Sequence, residues 1–401
     1  MAAAAAPNIV PARRLDRTPS RTVRAARLKA DWKPLAALDA TDIARWRELA
    51  GRALEPNVFL EPALATAALG LPAAQGIGAV MVRSGARLLG FLPGRIESLA
   101  DGRPVPTFVA WTHPYAPLST PLVDRERADD ALEALAGGLV RLPQRPRVAL
   151  LPLFPEEGAV ARRVTDLLYR RGQTARRLDA HRRAALIPQP GGDPLAAVST
   201  GRLKELRRQH RRLGESGALE HKTITDAAAI GDAVAAYLAL EATGWKGRAG
   251  SAADLDDTAR TFLSTAVIGL ARENKARVEL LTLDGAAIAA AIVLFSGTRA
   301  WFWKIAYDEA HARFSPGAQL ALALTRSLGS DARLDLVDSC AVAGHPMIDP
   351  LWSGRLAVAD WLVALPGAAG RFDLQAACAA ESLRRAAIRP LKRLRDRLHT
   401  P

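Results

Sequence analysis

Residues 278–320 read VELLTLDGAAIAAAIVLFSGTRAWFWKIAYDEAHARFSPGAQL, and this stretch decides the fold. Two apolar runs flank Asp284-Gly285, which predicts a β-hairpin because this pair readily adopts the left-handed backbone of a tight turn. The aromatic run that follows, Trp301-Phe302-Trp303, predicts a buried strand. Beyond it, apolar residues recur at helical spacing from Pro316 to Leu328. The stretch therefore predicts a hairpin, a third strand and a helix, which together form a mixed α/β unit.

The same plan occurs earlier in the chain. Apolar runs at 79–83 and 87–92 are separated by Ser84-Gly85-Ala86, which is again a hairpin pattern. Strands are then predicted at 107–112 and 147–153, with a helix between them. We interpret the recurrence as a weak internal duplication. It predicts an α/β fold of the α+β kind, with two related mixed-sheet domains and flanking helices.

The length of 401 residues allows two domains of the usual ~100–200 residues. We predict a disordered basic tail at 1–30, an N-terminal domain at 31–190, a C-terminal domain at 191–365 and a basic helical tail at 366–401. Pro390 is expected to interrupt the helix of this last segment. Its apolar stripe is thin, so at most a weak association with a membrane surface is expected.

The formal charge of +14 would ordinarily suggest nucleic acid or an anionic membrane as a partner. However, 47 Arg against 8 Lys, in an Ala-rich chain, is typical of a GC-rich coding bias and weakens that inference. We predict no DNA partner. The two cysteines, Cys340 and Cys378, are far apart, which argues against a disulfide scaffold. The sequence shows no secretory signal pattern and no run of about 18 apolar residues, so a cytoplasmic location is expected.

Several common active-site patterns are absent from the sequence. The seven histidines show no zinc-ligand spacing, so no metal site is predicted. The sequence contains no Gly-x-Ser-x-Gly pentapeptide, which is the pattern typical of many serine hydrolases. His113 and His345 each lie in a predicted turn, and we interpret both as structural.

The start of the helix after the aromatic strand has the composition of an anion site. Ser315 is predicted to cap the helix, and Pro316 suits its first position. Gly317 has no side chain to cover the first N–H groups. Because an open helix N-terminus presents free donors and a positive dipole end, we expect a diphosphate to bind there.

Three blocks of the second half resemble the GNAT acyltransferase superfamily, and more closely its CelD/BcsL type, which is associated with bacterial cellulose and exopolysaccharide synthesis. They are GRLKELRRQHRRLGESG (201–217), LEATGWKGRAGS (240–251) and the stretch 278–320 quoted above. The usual superfamily loop reads Arg/Gln-x-x-Gly-x-Gly/Ala before its helix. This chain departs from it: Arg313 precedes Gly317 by four residues, and Gly317-Ala318 stand in for the small pair.

The resemblance implies acyl transfer from an acyl-CoA, most simply acetyl-CoA, to an amine or hydroxyl acceptor that is small or glycan-linked. It places the pantetheine arm along residues 301–306, where Trp303, Lys304 and Ile305 would contact it. The cofactor-binding set also includes the loop and helix start: Arg313, Ser315, Pro316, Gly317 and Ala318.

Catalysis of that reaction needs a base for the acceptor and an acid for the leaving thiolate. Glu241 and Asp308 are the candidate bases, and Tyr307 is the candidate acid. Trp245 is assigned to the wall of the acceptor cleft, and Lys246 to orienting the acceptor.

Residues 202–212 predict an amphipathic helix with a cationic back. We assign Arg208 and Arg212 on it to the phosphates of CoA, to an anionic acceptor or to RNA. RNA is relevant because tandem GNAT domains also occur in FemABX-type peptidyltransferases, which take aminoacyl groups from tRNA. Three hypotheses follow: an acyl-CoA-dependent acyltransferase, an aminoacyl-tRNA-dependent ligase of the FemABX kind, and a non-catalytic accessory of polysaccharide assembly.

Overall fold

The computed structural model describes residues 28–244, 256–367 and 371–398. Its strands are β1 (Lys29–Pro34), β2 (Gly78–Ser84), β3 (Arg87–Glu97), β4 (Thr107–Ala110), β5 (Leu122–Val123), β6 (Val148–Pro155), β7 (Ala175–Leu186), β8 (Leu219–Ile224), β9 (Ala276–Leu283), β10 (Ala286–Ser296), β11 (Arg299–Tyr307), β12 (Leu336–Asp338) and β13 (Gly354–Ala364). The helices are α1 (Ala40–Gly51), α2 (Pro62–Ala67), α3 (Ala128–Leu139), α4 (Ala159–Arg170), α5 (Thr200–Gly214), α6 (Ile230–Thr243), α7 (Asp257–Ala271), α8 (Pro316–Gly329) and α9 (Arg371–Leu398). None of these helices is long and apolar enough to cross a membrane.

All thirteen strands belong to one mixed sheet, in the order β1-β2-β3-β4-β6-β13-β7-β12-β11-β10-β9-β8, with β5 paired to β3. From either edge, three antiparallel pairs lead to one parallel pair, β4–β6 on one side and β11–β12 on the other. The two halves meet at the central antiparallel pair β7–β13. The predicted mixed α/β fold with flanking helices is confirmed, but it forms a single continuous sheet.

The strand exchange at the centre explains why the sheet is continuous. β7, from the first half of the chain, pairs with β12 and β13 of the second half. β13 in turn pairs with β6 of the first half. Each half therefore completes its sheet with a strand from the other, while the predicted domain bounds stay a prediction.

Alternating side chains of the sheet divide the core between its two faces. In β10, Ala290 and Ile292 pack with α6 and α7 on one face, in a cluster that also takes in α1 and α2. Ala291 and Val293 pack with α5 and α8 on the other face. α3 and α4 cover that second face in the first half. The first face therefore carries one apolar core across both halves.

Two expectations about the ends of the chain need correction. The tail predicted at 1–30 overlaps β1, which begins at Lys29 and pairs with β2; residues 1–27 lie outside the described residues. The backbone of α9 is helical from Arg371 to Leu398, so Pro390 does not interrupt it. An interior proline removes one hydrogen-bond donor and crowds the carbonyl four residues earlier, so it usually kinks or breaks a helix; here the helical backbone continues past residue 390.

Candidate active site

The parallel strands β11 and β12 separate after three paired residues. Arg299, Ala300 and Trp301 pair with Leu336, Val337 and Asp338, and the pairing ends there. From Phe302 to Tyr307, β11 is paired with β10 on one side only among the described residues. Its other edge therefore presents backbone N–H and C=O groups to the gap between the two strands.

A β-bulge at Trp303 reinforces this separation. The β10–β11 register shifts between Ile292 and Val293, which pair with Lys304 and Phe302, so Trp303 is the extra residue. As a result, two consecutive side chains lie on the same face of the sheet. The Trp303 indole Nε1 donates to the Tyr115 carbonyl oxygen at 2.8 Å, and the Lys304 ammonium lies 4.5 Å from the centre of the Tyr115 ring.

The gap opens into a cavity of about 420 Å³. Its walls come from the end of α6, from the free edge of β11, and from the loop after β12. The lining residues are Leu240, Glu241, Gly244, Phe302, Trp303, Lys304, Ile305, Ala306, Tyr307, Glu309, Ser339, Cys340, Ala341, His345, Pro346, Met347 and Ile348. The structure thus brings Glu241 together with Trp303, Lys304, Ile305 and Tyr307 around one cavity.

Glu241 lies in the last turn of α6 and is 5% exposed. It accepts a hydrogen bond of 2.7 Å from the Tyr237 hydroxyl, one helical turn earlier. Burial, followed by the nearby charge of Glu241, raises the pKa of Tyr237 well above its ordinary value. Tyr237 therefore stays protonated at neutral pH and holds one oxygen of the Glu241 carboxylate in a fixed position.

An aromatic cluster from both halves supports the bulged side chains. Tyr115 packs 5.1 Å from Phe262 between ring centres, and its pKa is raised by burial and by the charges of Glu241 and Asp256. His113 is 8% exposed, and neither of its ring nitrogens has a hydrogen-bond partner among the residues that the structure describes. Burial, and then the charge of Lys304, lowers the pKa of His113 to about 4, so its ring is neutral at pH 7.

The loop after β12 contributes residues to the cavity that the sequence analysis did not assign to the site. His345 accepts from the Met347 N–H at 3.3 Å through Nδ1, and burial lowers its pKa, which favours a neutral imidazole. Cys340 has its pKa raised well above the ordinary value by burial and by Asp338, so it remains a thiol. Their position directly after a predicted strand could have indicated these residues, because loops at the carboxyl ends of strands often carry functional residues.

The start of α8 differs from the prediction. Pro316 is the first helical residue, but Ser315 has φ 52° and ψ 52° and its side chain makes no capping hydrogen bond. Pro316, Gly317 and Ala318 are buried. A Cβ atom at Gly317 would lie 3.2 Å from Tyr307 Cδ1 and 3.7 Å from Met347 Sδ. The expected open helix start is therefore wrong: Pro316 and Gly317 are buried, and the side chains of Tyr307, Ile305 and Met347 pack against the position that a Cβ atom at residue 317 would occupy.

Several other predicted site residues lie away from the cavity. Asp308 caps a 3-10 helix, Glu309–Phe314, by accepting from Ala310 N–H at 2.9 Å, and it contacts His311 Nδ1 at 3.0 Å. It does not line the cavity, whereas its neighbour Glu309 does. The guanidinium of Arg313 lies 4.6 Å from the Phe314 ring centre. The structure therefore does not support Asp308 as the base or Arg313 as a cavity residue.

The predicted acceptor-binding residues are also separated from the cavity or cannot be placed. Arg208 lies on α5 and pairs with Glu205 at 2.6 Å, and Arg212 is exposed on the same helix. α5 packs on the sheet face opposite to α6. Trp245 and Lys246 lie outside the described residues. Within the described part of the chain, no group of three or more His, Cys, Asp or Glu could hold a metal ion.

Residues 200–340, which include the free edge of β11, Glu241 and α8, match the family model described as an acetyltransferase (GNAT) domain. This part of the chain is therefore similar to a GNAT domain. This confirms the predicted enzyme class, an acyltransferase. The separated strands β11 and β12 both lie within the matched residues. The CelD/BcsL type within this superfamily stays a prediction.

Solved structures show that the GNAT domain belongs to a larger fold that covers most of the chain. The C-terminal domain (DUF2156) of a proposed lysylphosphatidylglycerol synthetase from Agrobacterium fabrum is similar, with a TM-score of 0.52, 15% identity, and coverage of 87% of this chain and 96% of that one. A conserved protein of unknown function from Bacteroides thetaiotaomicron is similar with a TM-score of 0.51 and 10% identity, and the match covers 84% of this chain and 100% of that one. FemX is similar with a TM-score of 0.51 and 9% identity, and the match covers 80% of this chain and 96% of that one. At these identities the likeness concerns the fold alone, and no curated protein sequence matches the chain.

Proposed function

We propose that the protein transfers an acyl group from an acyl-CoA, most simply acetyl-CoA, to an amine or hydroxyl acceptor in the cavity between β11 and β12. The free edge of β11 beside the buried Glu241 carries this proposal. An acyl-CoA supplies a thioester carbonyl at the end of an extended, amide-bearing arm. The N–H and C=O groups on the free edge of residues 302–307 have no strand partner among the described residues, and they suit such an arm because they can pair with its amides as with another strand.

The residues of the cavity supply the remaining chemistry. Glu241 takes the proton from the acceptor as its amine or hydroxyl attacks the carbonyl carbon. A backbone N–H on the free edge of β11 donates to the oxygen that becomes negatively charged. Tyr307 donates its hydroxyl proton to the departing thiolate sulfur. Cys340 is not proposed as a nucleophile, since its thiol stays protonated.

The diphosphate of CoA needs a different position from the one expected from sequence. Because Tyr307 and Met347 cover Gly317, the start of α8 does not fit that group in this conformation. The proposal therefore depends on the β11 edge for the arm and leaves the nucleotide outside the cavity. An acceptor in exopolysaccharide or cell-envelope synthesis, as in the CelD/BcsL type, stays a prediction.

A second candidate is an aminoacyl-tRNA donor, as in FemABX-type proteins. The covered start of α8 favours it, because a donor without a CoA diphosphate does not need that helix end. The cationic surface of α5 would suit RNA phosphates. FemX and the lysylphosphatidylglycerol synthetase domain share the fold, and both names fit chemistry with aminoacyl groups.

Calorimetric titration separates the two donors. We expect acetyl-CoA to bind with a Kd on the order of micromolar. Ala341→Trp, which fills the cavity, should abolish the binding, while Ala312→Trp, on an exposed position outside the cavity, should leave it unchanged. If acetyl-CoA does not bind but the protein transfers an aminoacyl group from tRNA, the acyl-CoA proposal fails and the second candidate stands.

A further inference from the structure

A second concave site lies on the other face of the sheet from Glu241, between α5 and α8. It has a volume of about 230 Å³ and we call it the α5–α8 groove; its lining is Arg207, His210, Arg211, His221, Leu281, Gln319, Leu320, Leu322, Ala323 and Arg326. It shares no lining residue with the cavity between β11 and β12. The groove is therefore separate from the site proposed for acyl transfer.

The rim of the groove is cationic. Arg207, His210 and Arg211 follow one another at helical spacing along α5, and Arg326 faces the groove from α8. Within residues 28–244, 256–367 and 371–398, no carboxylate forms an ion pair with Arg207 or Arg326. The carboxylates nearby belong to other pairs. Glu215 lies 3.7 Å from Arg211, with both side chains exposed, and the buried Glu279 bonds His221 at 2.9 Å.

The floor of the groove is apolar and fixed. Leu281, Leu320 and Leu322 are each less than 5% exposed. Gln319, which is 7% exposed, donates from Nε2 to the Leu206 carbonyl oxygen at 2.7 Å and so ties α8 to α5. A ligand matched to this site needs an anionic group for the rim and a compact apolar body for the floor.

We propose that the α5–α8 groove binds a small phosphomonoester that carries an apolar or aromatic body. The guanidinium groups of Arg207 and Arg326, which have no ion-pair partner within the described part of the chain, suit a dianionic phosphate, because arginine forms paired hydrogen bonds to phosphate oxygens. A nucleic acid backbone is the less suitable occupant, since it would follow the exposed cationic back of α5 rather than enter a concave site with an apolar floor.

Titration of phenyl phosphate into the full-length protein, followed by ³¹P NMR, tests the proposal. Phenyl phosphate should bind about tenfold more tightly than inorganic phosphate, because only the former covers the apolar floor. The double variant Arg207→Gln/Arg326→Gln should weaken binding about tenfold or more. The matched variant Arg170→Gln/Arg272→Gln loses the same charge at exposed positions outside the groove, and its affinity should stay within about twofold.

Three results would overturn the proposal. Equal weakening in both double variants would mean that the phosphate responds to the overall charge. Equal affinity for inorganic and phenyl phosphate would remove the apolar body from the ligand. Displacement of phenyl phosphate by acetyl-CoA, or by unfractionated tRNA at the same phosphate concentration, would assign the groove to the acyl donor. Loss of acetyl-CoA binding alone would instead count against the proposed function and leave the groove unaffected.

Discussion

Glu241 is a buried carboxylate that lines the cavity. Its position on α6 places the carboxylate at the cavity wall, and the Tyr237 hydroxyl fixes one oxygen. Asp308, the other predicted base, uses its carboxylate to cap a short helix. The sequence alone could not decide which of the two carboxylates is the base, because both follow apolar elements. What separates them is the direction of the side chain, which depends on the folded backbone.

Replacement of Glu241 by glutamine tests its proposed role as the base. The amide side chain would keep an oxygen acceptor for Tyr237 but could not take the acceptor's proton, so we expect kcat to fall by about 10²- to 10⁴-fold. The KM for the acyl donor should change little. Glu309→Gln is the matched control, because Glu309 also lines the cavity, and His345→Asn tests the neutral imidazole. A larger loss in either control than in Glu241→Gln would move the base to that residue.

The buried His113 ring, in the aromatic cluster beside the cavity, makes the stability of the fold depend on pH. Its pKa falls from 6.5 to about 4 on folding, so the unfolded chain binds the proton more readily between these values. The stabilisation is complete above pH 6.5 and is lost as the pH falls towards 4. Since one pKa unit corresponds to about 1.4 kcal/mol, the full shift contributes about 3 kcal/mol to the free energy of unfolding.

His113→Phe should remove this part of the acid sensitivity. Phenylalanine keeps the aromatic packing against Trp111 and Phe262 but cannot take up a proton. We expect the difference in unfolding free energy between pH 7 and pH 4.5 to be smaller in the variant, as measured by urea unfolding at each pH. Identical pH profiles for the two proteins would show that His113 is not the group that titrates.

At the scale of elements, prediction succeeded where local chemistry decides. Asp284 and Gly285 have φ of 49° and 83°, the left-handed turn that their sequence predicted between β9 and β10. The aromatic strand and α8 were also predicted. The strands β7 and β13 were not predicted. β7 reads ARRLDAHRRAAL, with six polar or charged residues in its first nine, and it pairs with β13, which is far away in sequence. The bulge at Trp303 was equally hidden, since it depends on the register with β10.

The helix α9 is attached through a buried ion pair. Arg103 Nη1 donates to Glu381 at 2.7 Å, and the two side chains are 8% and 0% exposed. Hydrogen bonds from Arg384 and Arg385, with the charge of Arg103, outweigh burial and lower the pKa of Glu381 to about 2. The carboxylate is therefore charged at all ordinary pH values and needs its cationic partners.

Arg103→Leu should loosen the attachment of α9. Because Glu381 keeps its hydrogen bonds from Arg384 and Arg385, the loss of Arg103 should cost about 1–3 kcal/mol, and trypsin should cleave within α9 faster than in the original protein. The control is Arg147→Leu, whose pair with Asp373 is partly exposed and is expected to contribute only about 0–1 kcal/mol. Equal cleavage rates in the two variants would contradict the assignment.

At the scale of the whole molecule, buried polar groups join the halves as well as the shared strands. Glu55 of the first half accepts from Arg299 of β11 at 2.7 Å and from the Val160 N–H at 3.0 Å. Glu61 accepts from Lys275 at 2.8 Å and from Ser296 at 2.6 Å. The same sheet positions the first half's Tyr115 beside Trp303. The cavity is therefore built by the second half of the chain, which depends on the first half for support.

The two halves should unfold together. In a fragment of residues 191–401, β7 is missing, so β12 and β13 lose a shared neighbour. Asp338, 1% exposed, also loses Arg183, which donates to it at 2.5 Å. An uncompensated buried charge costs about 3–5 kcal/mol, a large part of a typical stability of about 5–15 kcal/mol. We expect the full chain to melt in one transition by circular dichroism and the fragment to show none. A fragment of residues 172–401 keeps β7 and Arg183 but still lacks β6; it is the control and should show a partial transition, weaker than that of the full chain. Cooperative melting of the shorter fragment would show instead that the second half folds without the strand it shares.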